Sequence, residues 1–409
     1  MEQRIKKYIE AVVSIGVNIQ EGQNLIIYCD VQQAAIARMA LEIAYKRGAK
    51  DVMIAWSDTI SERLDYLLAP EEKFGKVPTW YEERVKHFIN EEYHILSIDS
   101  DDPDAYVGVD EDRVEKDDLA YGNALKLRDE QVTSGGVQWV SCAVPSVKWA
   151  KKVFPNASSD EEAMTLMWDA ILKASRIDEG DSVENWKKHV KKLQEKSQKL
   201  NESNLKTLHF KNGVGTDLTI ELPKNHVWLG GSATSNKGVE FLPNMPTEEV
   251  FTVPHKTGVN GIVYGSKPIV DTTDIIDDFW FEFKDGKVIN FGAKKNQHLL
   301  EKLLNFDEGS KYLGEVAIVP HSSPISQSGI LWYNTLYDEN ASCHLALGEG
   351  YPKCLPTLDG ADEDEIEKLG FNESLSHVDF MIGSADLQIS GTTESGEFID
   401  ILVSGEWAI

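Results

Sequence analysis

Glutamate, aspartate and histidine recur beside glycine, proline and small residues in five short segments in the second half of this 409-residue sequence. The segments are Met-Pro-Thr-Glu-Glu-Val-Phe-Thr at 245–252, Gly-Glu-Val-Ala at 314–317, Tyr-Asp-Glu-Asn-Ala-Ser-Cys-His at 337–344, Gly-Tyr-Pro at 350–352 and His-Val-Asp-Phe-Met-Ile-Gly at 377–383. Imidazole and carboxylate groups together suit zinc, cobalt or manganese, whereas calcium prefers ligand sets made only of oxygen. A fold that brought these segments together would hold a transition-metal site.

The His-x-Asp pair of the last segment has the spacing of two ligands on one strand. Residues two apart in a strand point to the same face, so His377 and Asp379 can reach one ion while Val378 and Phe380 enter a core. Such a pair on its own is more often a surface or hydrogen-bonded pair. Its weight as a metal signal comes from the other four segments.

The remaining carboxylates each leave an alternative open. Glu339 and His344 flank a polar stretch that a loop or irregular turn can fold toward one centre, but His344 could instead cap a helix and Glu339 be solvated. Glu315 lies at the rim of an apolar strand. Glu248 and Glu249 precede another apolar pair, and one should face inward, but the two-residue period does not decide which.

The elements that must position these residues differ between the two halves of the chain. Residues 24–29, 34–47 and 51–56 predict a strand, a helix and a parallel strand, with Gly48 at the helix end. Further strands are predicted within 94–98 and 136–144, and helices over 146–154 and 161–175, the latter begun by a capping box at Ser159. We expect an N-terminal α/β domain over 1–200 with a mainly parallel sheet.

A basic, surface-type helix is predicted between Asp181 and Asn204 and should bridge two domains. Beyond it, short alternating runs with turn signals predict hairpin strands, the first at 205–210 and 218–222. We expect residues 201–409 to form a β-rich, mixed catalytic domain. The fold class is therefore a combination of α/β and α+β.

Composition excludes several classes of protein. The 41 Lys and Arg residues against 68 Asp and Glu give a net charge of −27, which would repel nucleic acid. A hydrophobic content of 41% excludes global disorder. No apolar run reaches the roughly 18 to 20 residues of a membrane span, and no signal-peptide pattern opens the chain, so a cytoplasmic location without membrane contact is expected.

Other sequence patterns have simpler explanations or are missing. Four scattered cysteines are expected to be free thiols, and the acidic run 362–367 to be a solvated helix start. The sequence has no GxSxG elbow, P-loop, strand-linked GxGxxG or HExxH motif. Serine hydrolysis and nucleotide chemistry are therefore disfavoured.

The five segments, in the same order, resemble the thermophilic aminopeptidase family typified by aminopeptidases T and S, and the resemblance extends from end to end. It implies two divalent ions, of zinc, cobalt or manganese, and a homodimer that restricts access to short peptides. The implied metal ligands are Glu249, Glu315, Glu339, His344, His377 and Asp379, with Tyr351 as the active-site tyrosine. The choice of Glu249 over Glu248 rests on the resemblance alone.

The expected function is that of a metal-dependent aminopeptidase, which removes the N-terminal residue of short peptides with a water activated by two metals. Glu315 is the expected bridge between the metals. Tyr351 would stabilise the developing oxyanion, and Glu248, or a ligand that partly detaches, would take the proton of the water. Residues 338–406 hold 16 acidic residues against two basic ones, and this acidic character of the second half favours entry of a cationic N-terminus.

Two other classes of function remain as alternatives. A glycoside hydrolase could pair Glu248 or Glu249 with Glu315, but it would not need His344, His377 and Asp379. A non-catalytic metal- or peptide-binding protein would use the acidic half as a solvated interaction face.

Overall fold

A computed structural model describes residues 1–100, 102–178, 180–270 and 274–409 of the chain. The chain divides into two compact units. The first comprises Met1–Lys187 and Ser232–Pro246, and the second Lys188–Gly231 and Thr247–Ile409.

The N-terminal part of the chain alternates helices with parallel strands, as the sequence predicts. Its elements are α1 Glu2–Ala11, β1 Asn24–Asp30, α2 Ala34–Lys46, β2 Asp51–Ser57, α3 Thr59–Leu68, α4 Thr79–Asn90, β3 Tyr93–Asp99, α5 Glu111–Thr133, β4 Trp139–Ala143, α6 Val147–Val153, α7 Asp160–Ala174 and α8 Ser182–Glu202. The division between the units falls within α8.

Of the next six strands, the first three belong to the second unit and the last three to the first. They are β5 Leu205–Lys211, β6 Asp217–Glu221 and β7 Leu229–Gly230 in the second unit, and β8 Ala233–Thr234, β9 Glu240–Phe241 and β10 Asn244–Met245 in the first. Strand β10 pairs in parallel with β4 and completes a sheet of order β10-β4-β3-β1-β2. The sequence did not predict β10, because a two-residue strand carries no detectable period.

Local sequence explains the first unit. The β1 residues Leu25, Ile26 and Ile27 are all buried, as expected for a strand of a parallel sheet. Helix α2 ends before Gly48, whose φ of +92° suits the glycine predicted there. The Ser159 side chain caps α7 by accepting from the Glu162 backbone N–H, but the Glu162 carboxylate bonds Ser158, so the predicted capping box is only half formed.

The rest of the second unit is rich in antiparallel strands, again as predicted. Its elements are β11 Val250–Thr252, β12 Val259–Tyr264, β13 Ile269–Val270, β14 Ile275–Lys284, β15 Lys287–Lys295, α9 Gln297–Leu304, β16 Leu313–Ile318, α10 Pro324–Ser328, α11 Thr335–Asp338, β17 His344–Gly348, α12 Glu363–Leu369, β18 His377–Met381, β19 Gln388–Thr393, β20 Phe398–Val403 and β21 Glu406–Trp407. The predicted acidic helix start is present, with Asp362 in a capping box.

Two sheets pack face to face in this unit. One has the order β18-β17-β16-β11-β7, and the other the order β13-β14-β12-β6-β5-β19-β20-β21 with β15 beside β14. Between them lies an apolar core in which the rings of Phe281 and Phe380 are 5.1 Å apart. The core occupies one face of the β18-β17-β16-β11-β7 sheet. Polar side chains on the strands of this sheet must therefore lie on its other face.

Within the described ranges, no helix combines the length and the apolar character needed to cross a bilayer. Cys29, Cys142, Cys343 and Cys354 are buried and unpaired, as the sequence predicts.

Candidate metal centre

The β18-β17-β16-β11-β7 sheet of the second unit has a polar face. This face brings together candidate ligands from four strands or strand ends. Glu315 on β16 lies opposite Ala346 on β17, and Ala346 lies opposite Asp379 on β18. His344 and His377 lie on the same face, on either side of the row formed by Glu315, Ala346 and Asp379. His344 pairs with Met381, and His377 pairs with Gly348. Small residues at the centre of this face leave room above the sheet for the longer acidic and imidazole side chains.

Period-two alternation accounts for this arrangement. Val316, Leu345 and Phe380, each next in sequence to a residue of the polar face, belong to the apolar core. On β11, Val250 is a core residue and Phe251 pairs with Ala317 on the polar side. Glu249, two residues before Phe251, therefore lies on the polar side as well.

Among the residues that the structure describes, two groups of side chains have ligand atoms within 4.8 Å of one another. The first consists of Glu249, Glu315 and His344, and the second of Glu315, His377 and Asp379. The Glu249 carboxylate is 3.1 Å from His344 Nε2, and the Glu315 carboxylate is 3.2 Å from His377 Nε2. Glu315 is common to both groups.

Both histidines are oriented by their Nδ1 atoms. His344 Nδ1 lies 3.0 Å from the Ser342 carbonyl oxygen, and His377 Nδ1 lies 2.8 Å from the Glu349 carbonyl oxygen. A carbonyl oxygen only accepts, so each Nδ1 carries the proton and donates it. This fixes the tautomer and leaves Nε2, which faces the carboxylates, free to bind a metal.

The crowding of anionic groups shifts their protonation. Burial raises the pKa of Glu315 to about 7. The nearby His377 imidazole opposes this shift, and the neighbouring charges of Glu249 and Asp379 add to it. Burial, followed by the charges of Asp379 and Glu249, also raises the pKa of Glu339 well above its usual value. These carboxylates are therefore costly to keep ionised without a cation.

The histidines respond in the opposite sense. Burial alone would lower the pKa of His344, but its hydrogen bond with Glu249 and the surrounding carboxylates raise it well above the usual value. The same balance, with Asp379 and Glu315 as partners, raises the pKa of His377. For Asp379, burial opposes ionisation, yet the close contact with His377 and the charge of that imidazole lower its pKa. The cluster thus retains protons that a divalent cation would replace.

The donor set fits a divalent transition metal. His377 Nε2 and Asp379 Oδ1 are buried, and neither makes a hydrogen bond of acceptable geometry within the described parts of the chain. Buried polar atoms without such a bond are rare in native proteins. A centre of imidazole nitrogens and carboxylate oxygens suits zinc, cobalt or manganese, in agreement with the ligand types read from the sequence.

The other predicted site residues lie around these groups. Glu339 is in a 3₁₀ turn over Glu339–Ala341 and accepts a hydrogen bond from Asn340 Nδ2 at 3.2 Å. Tyr351 is 43% exposed, and its ring contacts those of His377 and Phe251, with centroids 5.1 and 5.3 Å away. The crowding of its phenol by protein atoms, and then the charges of Glu315 and Asp379, raise its pKa well above the usual value.

Glu248 lies in a different environment from Glu249. It is 2% exposed, and its carboxylate lies 3.7 Å from Nε2 of His189 on α8. The sequence offered no signal for His189, which lies in a helix read only as a bridge. Asn340, whose side chain accepts from the Glu248 backbone N–H, was also missed, although it lies between two predicted ligands.

The chain is similar to known aminopeptidases along its whole length. The chain is 41% identical to aminopeptidase AmpS of Bacillus subtilis (strain 168), over 99% of this chain and 98% of that protein. It is 35% identical to aminopeptidase T of Thermus aquaticus, over 100% and 99% of the two chains. The solved structure of wild-type AmpT from Thermus thermophilus covers both chains completely, with a TM-score of 0.93 at 33% identity.

A more distant likeness concerns the fold alone. The 2,5-dihydroxypyridine dioxygenase of Pseudomonas putida KT2440 matches with a TM-score of 0.57 at 10% identity, over 100% of this chain and 98% of that one. The sequence model of the family described as thermophilic metalloprotease (M29) matches residues 1–407 of this chain. The chain therefore belongs to the M29 family of thermophilic metalloproteases.

Proposed function

We propose that this metalloprotease is an aminopeptidase that uses two divalent ions to remove the N-terminal residue of short peptides. Metal-dependent aminopeptidase activity is supported by family membership and by relatives such as aminopeptidases S and T. The observation that carries the two-metal proposal is the position of Glu315 in both ligand groups. A carboxylate shared by two groups is what a bridged pair of ions requires.

Each ion would be held mainly by one of the two groups. Glu249 and His344 would bind one ion, His377 and Asp379 the other, and Glu315 would bridge them, with Glu339 as a further ligand. When bound, divalent ions polarise a carbonyl group and make a water nucleophilic at neutral pH. Zinc, cobalt and manganese all suit these ligands.

The chain's own residues would do the remaining work. The raised pKa of Tyr351 keeps its phenol protonated at neutral pH, so the hydroxyl can donate a hydrogen bond to an oxyanion that develops on the substrate. Glu248 is a buried carboxylate outside both ligand groups, and we propose it as the group that accepts the proton of the attacking water and passes it to the leaving amine.

The substrate must present a free α-amino group. Carboxylates that are not fully neutralised around the site would attract this cation, as would the net charge of −27. The resemblance to aminopeptidases T and S further implies a preference for short peptides and a homodimer, and we also propose a cytoplasmic location. Light scattering of the purified chain would test the homodimer.

Metal analysis combined with a blocked substrate tests the proposed function. The purified chain should contain up to two transition-metal ions, hydrolyse leucine or arginine anilides, lose this activity with a chelator and regain it with zinc, cobalt or manganese. The matched N-acetylated anilides should not be hydrolysed. A metal-free chain with full activity would contradict the metal dependence, and equal cleavage of acetylated substrates would contradict the aminopeptidase.

The alternatives fit the site less well. A glycoside hydrolase would leave His344, His377 and Asp379 without a role. A non-catalytic binding protein would not need the phenol of Tyr351 beside the ligand groups.

A further inference from the structure

The side chain of Asn340 is completely buried and joins two segments that carry candidate ligands. Its Oδ1 accepts from the Glu248 backbone N–H at 2.7 Å. Its Nδ2 donates to the Leu336 carbonyl oxygen at 3.0 Å and to Glu339 Oε1 at 3.2 Å. The amide thus contacts the backbone of Glu248, the residue before Glu249, and, on its other side, the carboxylate of Glu339.

The orientation of this amide is fixed by its partners. A rotated amide would place its NH₂ group against the N–H of Glu248 and its oxygen against two other oxygens. Both contacts would be repulsive, and all of these groups are buried or half-buried, so water could not compensate. Asn340 therefore has one stable arrangement, and this arrangement defines the separation of the segments it joins.

Neither segment is held firmly by regular structure at this point. Glu339 lies in a single 3₁₀ turn, and Glu249 immediately precedes β11, a strand of only three residues. Ligands on such short elements need other groups to hold their direction. Residues that hydrogen-bond metal ligands commonly orient them, and the loss of such a residue lowers metal affinity about 10- to 100-fold.

We propose that Asn340 is a positioning residue of the metal centre: its side chain orients the Glu339 carboxylate and holds the backbone at Glu248, one residue before Glu249, in register with it. The inference rests on the proposed metal-dependent function. Asn340 itself binds neither metal nor substrate and acts only through the two glutamates.

The test replaces Asn340 by an isosteric acid and by a small residue. Asn340→Asp keeps an acceptor for the Glu248 N–H but loses both donors and places a carboxylate against Glu339. Asn340→Ala removes all three hydrogen bonds. Because either variant could fold poorly, each is first checked by thermal denaturation of the metal-free protein, and the folded one carries the test.

The first unit of the chain provides a matched control. Gln138 is also completely buried, its Nε2 donates to the Val17 and Asn18 carbonyl oxygens, and its Oε1 accepts from Gln23. Gln138→Glu is therefore the same amide-to-carboxylate change in a similar network, and Gln138 lies outside the ligand groups. It should lower stability and leave metal binding unchanged.

The readouts are the affinity for Zn²⁺, by calorimetry with the metal-free chain, and the visible absorption of the Co²⁺-loaded protein. We expect the Asn340 variants to bind Zn²⁺ about 10- to 100-fold more weakly and to show an altered cobalt spectrum. If they match the parent in both readouts and differ only in stability, as Gln138→Glu should, the inference is wrong and the proposed function stands. If the parent itself binds neither metal, both are overturned.

Discussion

Leu313 and Glu315 are two positions apart on β16, yet their side chains lie on opposite faces of the sheet. Leu313 belongs to the apolar core, whereas Glu315 belongs to both ligand groups. The register explains this, because Leu313 pairs with Leu347 and Glu315 pairs with the adjacent Ala346. Gly314 is the extra residue of a β-bulge, and such bulges re-aim side chains near functional sites.

Gly314→Ala should disrupt this bulge. A Cβ at Gly314 would lie 2.3 Å from the carbonyl oxygens of both Gly348 and Glu349, which belong to the backbone and cannot rotate away. We expect a loss of about 1 to 3 kcal/mol in the free energy of unfolding and weaker metal binding, measured by denaturant titration and calorimetry. Gly122→Ala in α5, where a Cβ meets nothing within 4 Å, is the control and should be neutral or stabilising. Equal behaviour of the two variants would refute the bulge account.

Glu315→Gln should abolish metal binding and turnover while stabilising the metal-free chain. The amide mimics the protonated carboxyl, and burial with the nearby carboxylates raises the Glu315 pKa from an ordinary 4.5 to about 7. Since the folded pKa lies above the unfolded one, ionisation costs stability as the pH rises through this range. At pH 8 the variant should gain up to about 3 kcal/mol in unfolding free energy, measured without metal. A variant with normal rates and full metal occupancy would contradict the bridging role.

Glu249→Gln and Glu248→Gln should have different effects, although the residues are adjacent. Glu249 lies in a ligand group, so its replacement should remove bound metal. Glu248 lies beside His189, so its replacement should leave metal content intact and lower kcat by roughly 100- to 10,000-fold if it is the proton acceptor. Metal analysis and kinetics of both variants separate the roles. An unchanged kcat in Glu248→Gln would remove Glu248 from the mechanism.

Tyr351→Phe should retain its metal and lose catalytic rate. The phenyl ring preserves the contacts with His377 and Phe251, and only the hydroxyl is lost. We expect kcat to fall about 100- to 1,000-fold with little change in KM, as for other lost oxyanion donors. A selective rise in KM would instead assign the hydroxyl to substrate binding.

His94 should make the stability of the first unit sensitive to acid. Its Nδ1 accepts from the Gln138 backbone N–H. Burial and then the charge of Lys237 lower its pKa to about 4, while the charge of Glu92 acts in the opposite direction. Because the unfolded chain binds this proton below an ordinary pKa near 6.5, stability is full above that pH and falls toward pH 4. His94→Gln keeps an acceptor but does not titrate. Between pH 7.5 and pH 4.5, its free energy of unfolding should fall by up to about 3 kcal/mol less than that of the parent. Denaturant titrations at pH 7.5 and 4.5 measure this difference, and parallel losses would disprove it.

The sequence by itself determined the types of the candidate ligands, their order along the chain and two of the strands that carry them, β16 and β18. It did not predict β17, because His344 was expected in a loop or irregular turn. His377 and Asp379 share a face because the two-residue period of a strand is local. The helix–strand pattern of residues 24–57 was equally predictable, since capping and apolar spacing act over a few residues.

Only the tertiary structure decided which neighbours these residues meet. The face of Glu249 follows from the pairing of Phe251 with Ala317, and the direction of Glu315 from a bulge against β17. The contacts of His189 and Asn340 with Glu248 likewise join distant segments. Such pairings depend on the register between strands and on loop closure, and no local period encodes either.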